Sequence, residues 1–195
     1  MDRYAPNVIF DIGSYNGELS LKFKEKYPNA RVIAIEADNE NYNKMINNKK
    51  LKDIEIYNYA VGDKDGELLF YPSEGDYKGS GSVHKPTETI LKFKNMKIGE
   101  PYKVQGISLA TFCKDQNITY IDFLQMDIHG SEYETLLGLG NIKPKMIFLE
   151  VSALAYYSDS KPTRNKLIEL GYKKIISIQG DELWTLKSKK ENGTT

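Results

Sequence analysis

Three short apolar runs, at 8–11, 31–36 and 54–61, are separated by two amphipathic stretches within the first sixty residues. The runs have the length of strands, and the stretches between them carry apolar residues at helical spacing. Leu19, Leu21 and Phe23 mark the inner face predicted for 18–26, and Tyr42, Met45 and Ile46 that of 39–47. Pro28 and Asn29 close the first helix before the second strand begins. Strands and helices alternating in so little chain predict a parallel sheet joined by right-handed crossovers.

The pattern continues. Strands are predicted at 67–71, 103–107, 121–128 and 146–151, with helices at 108–116, 132–139 and 163–170. Leu109, Phe112 and Cys113 fall at i, i+3 and i+4, which places Cys113 in the core. Two final runs, 173–178 and 182–186, flank Gln179-Gly180-Asp181 and predict an antiparallel hairpin. The expected fold class is α/β and doubly wound, with a mostly parallel sheet and a C-terminal antiparallel hairpin. A single domain over 1–188 accommodates these elements, and the polar residues 189–195 read as a frayed tail. Only 72–100 lacks sustained periodicity. With the strand after it, the segment 72–106 reads as a lid or substrate-binding insertion.

Composition narrows the class. Twenty-seven basic and twenty-seven acidic residues cancel, which argues against a general nucleic-acid binder. No run approaches eighteen apolar residues, so no membrane span is expected. Residues 1–6 lack the apolar core of a secretory signal, and one cysteine cannot form an internal disulfide; the expected location is cytoplasmic.

In an open α/β sheet, ligands bind beyond the carboxyl ends of the strands. Acids gather there: Asp11, Glu36, Asp127 and Glu150 each fall at or near a predicted strand end. The first turn reads Asp-x-Gly-x-x-x-Gly from Asp11 to Gly17, without the third glycine of a dinucleotide fingerprint or the lysine of a phosphate loop. An acid before the first glycine suits an amine-bearing ligand better than a polyanion. S-adenosylmethionine, with its ammonium, sulfonium and carboxylate, matches that mixture. Glu36, 25 residues after Asp11, is placed to accept both ribose hydroxyls of a nucleoside. Taken alone, Glu36 does not separate NAD from S-adenosylmethionine.

The stretches Val8-Ile9-Phe10-Asp11-Ile12-Gly13-Ser14-Tyr15-Asn16-Gly17, Ala34-Ile35-Glu36-Ala37, Tyr59-Ala60-Val61-Gly62-Asp63-Lys64-Asp65-Gly66, the run from Ile121 through Asp127 to Glu132, and the run from Lys143 to Val151 follow one another in a familiar order. Over about residues 7–151 the chain resembles the FkbM-type S-adenosylmethionine-dependent methyltransferases. The resemblance implies a class I methyltransferase (Rossmann-like) fold. It also implies that Asp11, Gly13, Ser14, Tyr15, Asn16 and Gly17 hold the methionine part, Glu36 the ribose, and Ala60 and Val61 the adenine region. O-methylation of a carbohydrate or other small hydroxylated metabolite follows from the resemblance as well. Two features depart from the family. His129 stands where relatives usually have an acid or an amide, and seven residues precede the first strand where many relatives have more. The acceptor site is then expected from 72–106, from the loop after Val151, or from a second subunit in a homodimer.

Asp127, His129 and Glu132 form the candidate catalytic set on one strand-to-helix turn, which Gly130 lets bend. An imidazole ordinarily titrates near neutrality, so His129 is the better proton acceptor of the three. Asp127 would orient it, or meet substrate or the ligand's ammonium. Glu132 has the alternative of stabilising the first turn of the next helix. Ser80 and Ser82 could touch ligand on closure, while His84 reads as a surface residue. Glu150 either pairs in the crevice or faces substrate, and Tyr156 and Tyr157 read equally as core or as the lining of a sugar-sized pocket. Zinc spacings are absent, and no metal is assigned, although Asp127, His129, Glu132 and Glu150 have the chemistry to hold Mg²⁺ or Mn²⁺. The competing readings are an NAD-dependent oxidoreductase and a non-catalytic nucleoside-binding module.

Overall fold

A computed structural model describes residues 5–88, 91–92, 95–151 and 161–187. The chain runs β1 (Val8–Ile12), α1 (Glu18–Lys26), β2 (Arg31–Ile35), α2 (Asn39–Ile46), β3 (Glu55–Tyr57), β4 (Ala60–Gly62), β5 (Gly66–Phe70), β6 (Ser73–Glu74), β7 (Lys97–Ile98) and β8 (Tyr102–Ser108). It continues through α3 (Leu109–Asp115), β9 (Phe123–Met126), α4 (Glu132–Leu137), β10 (Met146–Glu150), α5 (Lys161–Glu169), β11 (Tyr172–Ile178) and β12 (Asp181–Leu186). Seven strands form one sheet in the order β11-β12-β10-β9-β1-β2-β3. Every neighbouring pair is parallel except the two that β12 makes. This is the doubly wound class I methyltransferase architecture, with its antiparallel pair at the C-terminal edge.

Period-two alternation sorts the central strands between two cores. Ile9, Val32 and Ala34 pack with Met45 and Leu51 on one face. Phe10, Ile12, Ile33 and Ile35 pack with Phe112, Leu124 and Met126 on the other, and Cys113 lies in that second core. Two buried acids pin the sheet. Asp122 accepts from the backbone N–H groups of Asn7 (2.8 Å) and Val8 (3.1 Å) and pairs with Lys145. Glu182 accepts from Arg164 (3.0 Å), Lys174 (2.9 Å) and the Trp184 indole (3.0 Å), which ties α5 to the closing hairpin. Gln179 and Gly180 turn that hairpin with φ of 52° and 105°, the positive angles a two-residue turn requires.

Three sequence expectations need correction. Residues 54–61 are two strands, not one: β3 joins the main sheet, while β4 joins a second sheet of order β4-β8-β5. Asn58 makes the break, its amide donating to the carbonyls of Glu36 (2.9 Å) and Ala37 (3.2 Å). In α1 the buried position is Ser20, not Leu19, because the Ser20 hydroxyl is drawn inward to the Asp11 carboxylate. In α2, Asn41 and Met45 face inward and Ile46 is exposed. The segment 72–106 also holds more structure than its composition suggests, with β6 and β7 paired antiparallel and β8 entering the second sheet. Tyr156, Tyr157 and the 189–195 tail lie outside the described residues.

Candidate active site

The strand order reverses beside β1, which places the crevice at the carboxyl ends of β1 and its neighbours. Gly13 adopts φ +80°, and a Cβ there would sit 2.0 Å from the Asp127 carbonyl oxygen. The two loops therefore meet backbone to backbone, which only glycine permits. The cleft encloses about 650 Å³ including its open mouth. Its walls include Gly13, Glu36, Ala60, Val61, Ser82 and Asp127, all expected from the sequence, together with Asp38, Asn41, Tyr59, Phe70, Val83 and Ser131, which sequence reasoning missed. A signal for Asp38 was present: it stands two residues after Glu36 and caps α2, accepting from Asn41 N–H at 2.9 Å.

The other residues of the first turn do not line the cleft. Asp11 shares a strand face with Ile9, so its carboxylate points beneath α1 to Ser20. The Ser14 hydroxyl donates to the Asp11 carbonyl (2.6 Å). Asn16 accepts from Glu18 N–H (3.0 Å), and Gly17 begins α1. Tyr15 takes part through its backbone, donating its N–H to Glu36 Oε2 at 2.7 Å. Glu36 Oε1 accepts from Asp38 N–H at 2.8 Å, so one carboxylate ties the first turn to the start of α2.

The turn after β9 is held from both sides. His129 and Gly130 have φ of 51° and 116°, successive left-handed residues that bend the chain sharply. Glu132 is spent on this turn: it is buried and accepts from the N–H groups of Ile128 (3.2 Å) and Gly130 (2.9 Å). It does not line the cleft. The buried Ser82 hydroxyl donates to the His129 carbonyl (2.9 Å), docking the 72–106 segment on the same turn. Gly79 of that segment lies over Tyr15, with 2.9 Å between the ring and a Cβ built there. His84 is half-buried, not a free surface residue, and its Nε2 lies 3.6 Å from Glu134 of α4. The His129 ring is mostly covered, and its Nε2 lies 3.6 Å from Asp127 Oδ1. Among the described residues, Asp127, His129 and Glu150 offer ligand atoms all within 4.8 Å of one another, beside the cleft. The fold thus brings Glu150 to the pair named from the sequence.

Burial pushes the carboxyl of Glu36 up to about 7, against the two N–H groups it accepts from. Burial likewise pushes Asp11 up to about 6, with the Ser20 hydrogen bond opposing and the Asp127 charge adding, and Glu132 up to about 7. Each acid binds its proton more tightly in the folded chain than in the unfolded one. Their stabilising contribution is present below the ordinary carboxylate range and is lost as pH rises through about 6–7. Melting of the ligand-free protein, followed by circular dichroism, should therefore show a lower Tm at pH 7.5 than at pH 5.5. A Tm that climbs steadily over that interval would refute the assignment.

A family model for the methyltransferase FkbM domain matches residues 11–174. The chain belongs to the FkbM methyltransferase family. It is 26% identical over 189 residues to the 2-O-methyltransferase NoeI of Sinorhizobium fredii, covering 90% of this chain and 78% of that protein. In fold it is similar to the precorrin-6y C5,15-methyltransferase of Geobacter metallireducens, with a TM-score of 0.51 at 13% identity over 95% of this chain and 83% of that one. No described helix is long and apolar enough to cross a membrane.

Proposed function

We propose that this FkbM protein uses S-adenosylmethionine to methylate a hydroxyl of a carbohydrate or another small metabolite. The observation that carries the cofactor reading is Glu36, a buried carboxylate at the end of β2 with its edge in the cleft wall. The residues present fit the cofactor. Glu36 suits a ribose diol, Ala60, Val61, Phe70 and Val83 give apolar cover for a purine, and Asp127 offers charge to an ammonium. The oxygen acceptor rests on the name of the NoeI relative and on the family resemblance, and the carbohydrate on the resemblance alone.

When bound, S-adenosylmethionine supplies a methyl group activated by its positive sulfonium. The chain supplies alignment and proton handling. Glu36 and the Gly13 turn fix position, and the 72–106 segment, docked through Ser82, keeps water from the cleft. A hydroxyl acceptor has to lose its proton, and the His129 imidazole, whose Nε2 lies 3.6 Å from the Asp127 carboxylate, is the group to take it on its other ring nitrogen. Calorimetry with S-adenosylmethionine and with NAD tests the cofactor: binding of NAD alone would select the oxidoreductase. Transfer of labelled methyl to a glycan panel separates an enzyme from a binding module. With His129 as proton acceptor no resident metal is needed, so turnover should persist in EDTA. Loss of activity restored by Mg²⁺ or Mn²⁺ would reassign Asp127, His129 and Glu150 to a cation.

A further inference from the structure

Ser131 joins the 128–130 turn to α4, and it is 4% exposed. Its hydroxyl is buried without a hydrogen-bond partner among the described residues, and Ser131 lines the cleft. A buried hydroxyl in this state is costly, because desolvation is not offset by a new bond. Such a group in a native fold calls for an explanation, and a ligand that completes it is one.

Geometry indicates which part of a ligand that would be. Thr135 N–H donates to the Ser131 carbonyl (2.9 Å), so the two residues sit one helical turn apart. Thr135 Oγ1 donates to the carbonyl of Val61 (3.2 Å). Ser131 therefore lies one turn further toward the cleft along the same contact between α4 and β4. It shares the cleft with Ala60 and Val61, whereas Glu36 belongs to the loop after β2. The carboxylate is suited to a diol, and the hydroxyl, both donor and acceptor, to the edge of a heterocycle.

We infer that Ser131 is a specificity residue whose hydroxyl completes its hydrogen bonding on the purine base of the bound nucleoside. The inference rests on the S-adenosylmethionine reading and adds a residue to it. Calorimetry should compare the wild-type protein and Ser131→Ala, each with S-adenosylhomocysteine and with methylthioadenosine, which lacks the amino-acid end. Ser131→Ala is expected to weaken both ligands by a similar factor, about tenfold. The ligand-free variant should melt no lower than wild type, since the deletion removes an unsatisfied group. A residue that only supported the loop would lower the melting temperature instead. Unchanged affinity for both ligands would overturn the assignment to Ser131 while leaving the cofactor reading in place. Weakening confined to S-adenosylhomocysteine would move the hydroxyl to the amino-acid end and overturn the purine assignment. A wild-type protein that binds neither ligand would overturn the cofactor reading, and this inference with it.

Discussion

His129→Ala is expected to lower turnover about 10²–10⁴-fold, the contribution of a positioned general base, while cofactor affinity stays near wild type. The separation follows from position. His129 lies beside Asp127 and Glu150, outside the residues that wall the cleft. Alanine at φ 51° is strained, so a second variant has to exclude collapse of the turn. Asparagine tolerates left-handed angles better than most residues and cannot act as a base at neutral pH. His129→Asn should therefore fold and bind cofactor normally and still lose turnover by a similar factor. Measuring kcat for methyl transfer, with Kd by calorimetry, decides the matter. An active His129→Asn enzyme would remove the imidazole from the mechanism and leave Asp127 or Glu150 as acceptor of the proton.

Glu36→Ala is expected to act on the other half of the reaction, weakening S-adenosylmethionine by about 1–3 kcal/mol, or roughly 5- to 150-fold. Two effects combine. The ribose loses its acceptor, and the backbone N–H groups of Tyr15 and Asp38 lose the carboxylate that binds the first turn to α2. Glu36→Gln should not rescue the site fully, since its amide presents a donor to one of those two donors. Saturating cofactor should restore much of kcat in Glu36→Ala, in contrast to the His129 variants. Equal affinity in wild type and Glu36→Ala would place the nucleoside elsewhere.

Elements whose signal is local in the chain were legible in the sequence, and those set by distant partners were not. Strands β1, β2, β9 and β10 were legible because buried parallel strands are continuous apolar runs, and the closing hairpin because Gln179-Gly180 marks a turn. Cys113 was placed in the core by helical spacing alone. The division of 54–61 was not legible, since it depends on Asn58 bonding to carbonyls more than twenty residues away in sequence. Leu19 was misjudged because hydrophobic periodicity does not register a serine buried to meet an acid.

The site shows the same boundary. Residue types and spacing were enough to nominate Gly13, Glu36 and Asp127 and to favour a nucleoside with a cationic tail, because a strand end followed by a glycine turn is a contiguous feature. Which of the nominated side chains face the cleft was decided by tertiary structure. Strand alternation turns Asp11 beneath α1, the 128–130 turn captures Glu132, and sheet order carries Glu150 to His129 across twenty residues of chain. The orphaned hydroxyl of Ser131 belongs to the same class. A serine has no hydropathy signature, and whether its hydroxyl is satisfied depends on neighbours that only the folded chain assembles.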